Sequence, residues 1–306
     1  MAKAVRFDRY GGIEVLYLAD VEIPHPPPGE VLVAVRAAAV NPGEAAIRQG
    51  YLDDRWPTAF PCGEGTDLAG VVTEVGEGVT GFAVGDEVLG WSDRRSSHAE
   101  YVLVPEDHLA VKPEGLSWPV AGALDVAGTT AYAAVRAVAA RPGETVAVSA
   151  AAGGVGSIVV QLLAMAGASV IGIASEANHG WLSSVGATPV SYGPGLADRI
   201  RAAAPSGVDA FIDTFGEEYV HLAVELGVAP DRIETIIAFE AAAAVGAKAE
   251  GSAAAASAEI LAELAGLAAS GRLEVPIAAT YPLDQVREAY VELEQRHTRG
   301  KIVLIP

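Results

Sequence analysis

The chain of 306 residues has a single cysteine, Cys62. One thiol cannot close a disulfide within the chain, and it cannot supply a four-cysteine structural zinc site. The six histidines are scattered, with no His-x-x-x-His pair, so no metal is expected. Basic residues are scarce, 20 against 39 acidic, which gives a net charge of −19. That balance excludes a broad nucleic-acid surface, which needs a basic patch. It also makes any anion site depend on local donors and not on the overall field. No apolar run reaches the ~18 residues that cross a bilayer. Glycine and charges interrupt the alanine-rich stretches at 241–244 and 253–256. The opening Met-Ala-Lys-Ala-Val-Arg-Phe carries no apolar signal region. The expectation is a cytoplasmic protein with no membrane partner and no nucleic-acid partner.

What is present is enough for a large core: 51% of residues are hydrophobic and only 19% are charged. At roughly 100–200 residues per domain, the length suggests two domains. Up to about residue 122, short β-type runs at 30–36, 70–75, 86–89 and 99–104 alternate with turn signals. Pro26-Pro27-Pro28-Gly29, Gly76-Glu77-Gly78 and Gly85-Asp86 are such signals, and the spacing predicts an all-β barrel or sandwich. From about 123 the rhythm changes. Strand-like runs at 145–150, 169–174, 209–214 and 232–237 alternate with helix-length segments at 155–166, 177–185, 196–203, 217–226 and 257–269. Repeated strand–helix units imply a parallel sheet covered on both faces. After Gly271 come a strand at 275–280, a helix at 283–295 and a closing strand at 301–305, a tail that packs back on the first domain. The expected domains are 1–122 with 272–306, and 123–271.

The most informative segment is Thr145-Val146-Ala147-Val148-Ser149-Ala150-Ala151-Ala152-Gly153-Gly154-Val155-Gly156. A β-branched strand runs into three glycines and then into an amphipathic stretch. This arrangement sets a helix N-terminus against a pyrophosphate, with glycines giving a tight turn and close backbone approach. Ala150 stands where the usual fingerprint has its first glycine. The competing reading is a tight turn that uses glycine for structure alone. The tip of the next strand carries no carboxylate to accept from a ribose 2′-hydroxyl. Ser175, Asn178 and His179 offer donors to a 2′-phosphate there, although Asn178 and His179 also suit a helix start. No Arg or Lys lies in 175–179. NADP(H) is favoured over NAD(H). Tyr51, Trp56, Phe60, Trp91 and Phe239 are candidates to line an apolar pocket, or else are packing residues. Asp209 and Asp213 flank a strand and read as hydrogen-bond acceptors that close the fold. His98 reads as a loop residue and Cys62 as a small apolar one.

Several segments together resemble the zinc-free medium-chain dehydrogenase/reductases of the quinone oxidoreductase (zeta-crystallin-like) family. They are Asn41-Pro42 with Arg48-x-Gly50, Gly63 to Gly85-Asp86-x-Val88, Ala99-Glu100-Tyr101-Val102 and Ala127-Gly128-Thr129-Thr130-Ala131-Tyr132. Ala150 to Gly156, Gly207-Val208-Asp209 with Asp213 and Gly216, and Gly300-Lys301-Ile302-Val303-Leu304 complete the set. Asn41 stands where zinc-dependent relatives have their first zinc-ligand cysteine, and Thr66-Asp67 stands where they have His-Glu. The resemblance implies an α/β protein: a GroES-like β-barrel catalytic domain plus a Rossmann doubly wound parallel-sheet domain that binds NADP. It implies a cleft between them and hydride transfer from NADPH to a quinone or an α,β-unsaturated carbonyl. A biosynthetic enoyl reductase and a low-turnover NADPH-binding sensor are the alternatives. In this scheme Asn41 polarises or positions the substrate, and Tyr51 is a proton donor. Trp56, Phe60 and Trp91 line the substrate pocket. Thr129, Ala152, Gly153, Gly154, Val155, Gly156, Ser175, Asn178, His179, Phe215, Ala238 and Phe239 contact the cofactor. Tyr192, after the third strand, resembles the family's adenine-side tyrosine. A homodimer is expected, with 243–251 offering an edge strand to a partner.

Overall fold

A computed structural model describes residues 1–306. The chain divides into two units, Met1–Val126 with Ser257–Pro306, and Ala127–Ala256.

In the second unit five strands form one parallel sheet. Their spatial order is Ala187–Ser191, Ser169–Ala174, Thr145–Val148, Ala210–Asp213, Ile233–Thr235. The chain starts in the middle, steps outward twice, then returns to the other side of Thr145–Val148. The order therefore reverses between Thr145–Val148 and Ala210–Asp213. In open α/β sheets that reversal opens a crevice at the carboxyl ends of the strands. Val146, Ala147, Val148, Ile171, Ile173, Phe211 and Ile212 are buried, as the near-continuous apolar runs of a doubly covered sheet require. Helices follow the strands at Gly156–Met165, His179–Ser184, Leu196–Ala203, Glu217–Glu225 and Phe239–Val245.

The first unit holds two sheets. Tyr17–Val21, Ala2–Phe7 and Cys62–Gly63 form a small antiparallel one. The larger runs Ile277–Pro282, Lys301–Ile305, Glu30–Ala39, Asp67–Val75, Glu87–Trp91, Leu109–Val111, with Tyr101–Pro105 also paired to the long strand Glu30–Ala39. The chain's last strand lies antiparallel to Glu30–Ala39, with Val303 opposite Ala39. The tail thus returns to the first unit. Val31, Val33, Val35, Leu68, Val72, Val88, Val102 and Val104 make one core, and Phe7, Leu16, Val286, Tyr290, Ile302 and Leu304 belong to another.

Two features differ from the sequence expectation. The helix Ala258–Ala269, placed by pattern in 123–271, packs against Leu109–Val111 and belongs to the first unit. Its buried Leu261, Leu264 and Ala265 show the i, i+3, i+4 spacing of a core-facing stripe. That spacing reveals a stripe and not which sheet it covers. The segment 243–251 is not an edge strand. Its first residues finish the helix Phe239–Val245, because four consecutive alanines favour helix. Gly246, at φ +78°, ends that helix in the left-handed region that favours glycine. Only Lys248 pairs, as a single parallel bridge to Glu234.

Candidate active site

Each unit carries a cluster of candidate residues. In the second unit the expected cofactor residues, apart from Thr129, lie just past the carboxyl ends of the parallel strands. After Thr145–Val148 the chain turns sharply at Ala150, whose φ is +41°. An alanine therefore takes the left-handed conformation that the fingerprint usually gives to glycine. The Ala150 carbonyl accepts from the Gly153 N–H at 2.8 Å, and the Ala151 N–H donates to the Ile173 carbonyl at 3.0 Å. A β-carbon on Gly156 would lie 2.3 Å from the Ala150 oxygen, so the close approach demands glycine. The helix Gly156–Met165 opens at this turn. The N–H groups of Ser157, Ile158 and Val159 donate to the carbonyls of Gly153 and Val155, and the helix start is the positive end of its dipole. Ser157 and Gln161 brace the start: the Gln161 side-chain amide donates to the Ser157 carbonyl at 2.7 Å. A glycine turn at the positive end of a helix beside a crevice fits a pyrophosphate.

Asp213 ties three neighbouring strand ends together. It is buried and accepts from Ser149 Oγ and Thr235 Oγ1, each at 2.7 Å, and from the Phe215 and Gly216 N–H groups at 2.9 and 3.1 Å. Thr235 Oγ1 in turn accepts from the Ala238 N–H at 3.0 Å. Phe215, Ala238 and the half-buried Phe239 are thus set by one carboxylate. Asp209 accepts from the Thr145 N–H at 2.7 Å. Both aspartates act as acceptors within the fold. Along the sheet, the Asn178 amide donates to Ser175 Oγ at 3.1 Å, and His179 Nε2 lies 3.4 Å from Ser191 Oγ. Tyr192 is half exposed beside them. Arg199, outside the 175–179 window, is the group that the sequence reading missed. Its guanidinium donates to the carbonyls of Ser191, Gly193 and Pro194 and so shapes the turn that bears Tyr192. Thr129 is fully buried in the helix Asp125–Val138.

In the first unit Asn41 starts the helix Pro42–Arg48 and is 4% exposed. Its side-chain Nδ2 donates to Glu44 Oε1 at 3.0 Å and to Asp67 Oδ2 at 2.7 Å. Its Oδ1 accepts from Lys301 Nζ. Glu44 also accepts from the Asn41 and Thr66 N–H groups and from the Tyr290 hydroxyl, each at 2.9 Å. Beside it, buried Arg48 pairs with Glu64 and lies 4.4 Å over the Tyr290 ring. Burial raises the Glu64 carboxyl to about 7 against the pull of Arg48. Burial raises Asp67 too, opposed by the Lys301 charge. Asp125 is pushed well up by burial and then by the Asp67 charge.

Tyr51, Trp56 and Phe60 do not join that cluster. Tyr51 is 77% exposed, and Trp56 and Phe60 are partly exposed on the same irregular segment. The Arg55 guanidinium lies 5.4 Å over Trp56, and Phe60 meets Tyr10 edge-on at 5.0 Å. Trp91 lies opposite Asp67 on the neighbouring strand, buried and stacked on His108 at 4.4 Å. His98 is a loop residue and is fully buried, with Nε2 3.0 Å from the Ala39 carbonyl. Cys62 is buried in an apolar core, as expected of a small apolar residue.

Known proteins share this fold. A profile described as an alcohol dehydrogenase GroES-like domain matches residues 27–114, and one described as a zinc-binding dehydrogenase matches 185–304. The quinone oxidoreductase of Mus musculus is 36% identical over 178 residues, 58% of this chain and 53% of that protein. The chain thus aligns with about half the length of that relative. The solved quinone oxidoreductase from Coxiella burnetii matches with a TM-score of 0.90 at 30% identity, over 100% of this chain and 99% of that one. A crystal structure of an NAD-dependent alcohol dehydrogenase matches with a TM-score of 0.88 at 30% identity, over 99% of each chain.

Proposed function

The chain belongs to the quinone oxidoreductase branch of the medium-chain dehydrogenase/reductase family, and from that premise we propose that it is a zinc-independent, NADPH-dependent reductase of quinones or α,β-unsaturated carbonyls. The observation that carries this reading is the turn at 150–156, where the close approach of Gly156 to the Ala150 carbonyl sets a glycine turn at the positive end of a helix, which suits a pyrophosphate. Bound NADPH supplies the hydride from C4 of its nicotinamide. The chain's residues do the rest. Gly154, Val155 and Gly156 offer backbone donors to the phosphates, and Gly153, whose N–H donates to the Ala150 carbonyl, shapes the turn that receives them. Ser175, Asn178, His179 and Tyr192 face the adenosine end, where the absence of a carboxylate at the strand tip favours a 2′-phosphate. Thr129, Ala152, Phe215, Ala238 and Phe239 hold the nicotinamide end.

The acceptor's oxygen gains negative charge as hydride arrives and needs donors in a dry site. Both Nδ2 hydrogens of Asn41 already go to carboxylates. Asn41 therefore positions the substrate side and does not itself donate to the oxygen. Tyr51, with its exposed ring, is the proposed proton donor. Trp56 and Phe60 offer apolar faces to a planar acceptor. The resemblance also supports a homodimer in the cytoplasm. The test is a steady-state comparison of a quinone, a small enone and an enoyl thioester with NADPH. Turnover of the first two above the thioester is expected. Turnover of the thioester alone would replace this reading with a biosynthetic enoyl reductase. NADPH binding without oxidation by any of them would leave a sensor.

A further inference from the structure

Lys301 opens the chain's last strand and is 5% exposed, so its amine lies in the interior. Its ammonium donates to Asn41 Oδ1 and lies 3.8 Å from Asp67 Oδ2. We propose that Lys301 is a positioning residue of this reductase, whose ammonium fixes the Asn41 amide and the Asp67 carboxylate on the substrate side. The inference rests on the reductase reading above.

The amide of Asn41 has two orientations related by a flip. In the observed one the nitrogen faces the carboxylates of Glu44 and Asp67, and the oxygen faces the ammonium. The flipped one would set the oxygen against two carboxylates and the NH2 group against a cation. Three charge-assisted hydrogen bonds would become three repulsions. The ammonium is the cationic half of that selection. It also compensates Asp67, which is fully buried and would otherwise be an unpaired interior charge, a costly state. Asp67 Oδ1 accepts from the Val126 N–H at 2.8 Å, in the first turn of the helix Asp125–Val138 that carries Thr129. One side chain thus holds the start of the helix at 42–48, the strand at 67–75 and the start of the helix at 125–138. None of these contacts is local in sequence: Lys301 lies 260 residues from Asn41.

The test compares wild type, Lys301→Met and Lys301→Gln. NADPH affinity is read by fluorescence titration, and kcat and KM are read with the best acceptor. Lys301→Met removes charge and donors, whereas Lys301→Gln keeps a neutral donor. The expected result is a kcat at least about tenfold lower in Lys301→Met, with the NADPH Kd within about twofold of wild type. Lys301→Gln falls between the two. A kcat within about twofold of wild type in folded Lys301→Met overturns the proposal, as does an equal loss of NADPH affinity and kcat. If Lys301→Met does not fold, Lys301→Gln decides by the same criteria. A thermal double-mutant cycle with Asp67→Asn is independent of turnover. The double variant should lose less melting temperature than the two single losses added, because each single change strands a buried partner. Strict additivity contradicts the pairing. A wild-type protein that oxidises no NADPH defeats the reductase reading alone, and the cycle still scores the pairing.

Discussion

At the scale of single residues, the turn at 150–156 is the part most legible in the sequence, and it yields the sharpest expectations. Gly156→Ala places a β-carbon 2.3 Å from the Ala150 oxygen, so the backbone must move where the phosphates bind. A loss of about tenfold or more in NADPH affinity is expected in a calorimetric titration, with a lower melting temperature. Unchanged affinity would contradict the cradle. Ala150 at φ +41° carries strain that glycine would not. Ala150→Gly should therefore leave stability unchanged or slightly raised, while Ala150→Val should lower it by about 1–2 kcal/mol in urea denaturation. Asp67 and Lys301 were harder to read. Each looks like an ordinary charged residue near a strand end, and only the fold brings them 3.8 Å apart. Arg199 is hard to read for a similar reason, since it reaches the turn at 191–194 from the helix Leu196–Ala203 and not from the strand tip at 175–179.

Titration gives another test at this scale. Burial raises the Glu234 carboxyl from its ordinary 4.5 to about 8, partly offset by the Glu250 N–H that it accepts. Its folded-state value lies above its unfolded one. As pH climbs from about 4.5 to about 8 the unfolded chain gives up a proton that the folded chain keeps, and stability falls across that window. Glu234→Gln removes the penalty. Its gain in melting temperature should be larger at about pH 8.5 than at about pH 5. An equal change at both values would contradict the burial argument.

Among elements, the alternation of strand and helix after residue 123 identified a parallel sheet, because doubly covered strands read as apolar runs. The sheet's strand order is not written in periodicity, although the position of the crevice depends on it. Asp213 holds that crevice by closing three strand ends at once. Asp213→Ala removes four hydrogen bonds and leaves buried donors unpaired. A loss of about 3 kcal/mol or more in chemical denaturation is expected, and weaker NADPH binding with it. A loss under about 1 kcal/mol would show that the strand ends hold without it. The segment 243–251 shows the limit of composition. Alanine-rich sequence with a glycine suits both an exposed edge and a capped helix, and here the helix Phe239–Val245 wins through propensity and the Gly246 cap. A dimer, if it forms, then needs a surface other than a strand at 243–251. Sedimentation at micromolar protein tests it, and a monomer would remove the homodimer from this account.

For the molecule as a whole, the net charge of −19 opposes an anionic cofactor at long range. The account puts recognition in local backbone donors and short polar side chains. Moderate salt should therefore screen the repulsion and raise the NADPH association rate in stopped-flow measurements. A steep fall with salt would point instead to a basic cluster that this structure does not place at the turn. The claim on which everything else depends is that the crevice takes NADPH and that the chain passes its hydride on. The most direct measurement titrates NADPH and NADH separately into the wild-type protein, then follows loss of reduced-nicotinamide absorbance after a quinone or an enone is added. The account predicts tighter binding and faster oxidation of NADPH. Equal or better use of NADH, or no oxidation with any acceptor, would contradict it.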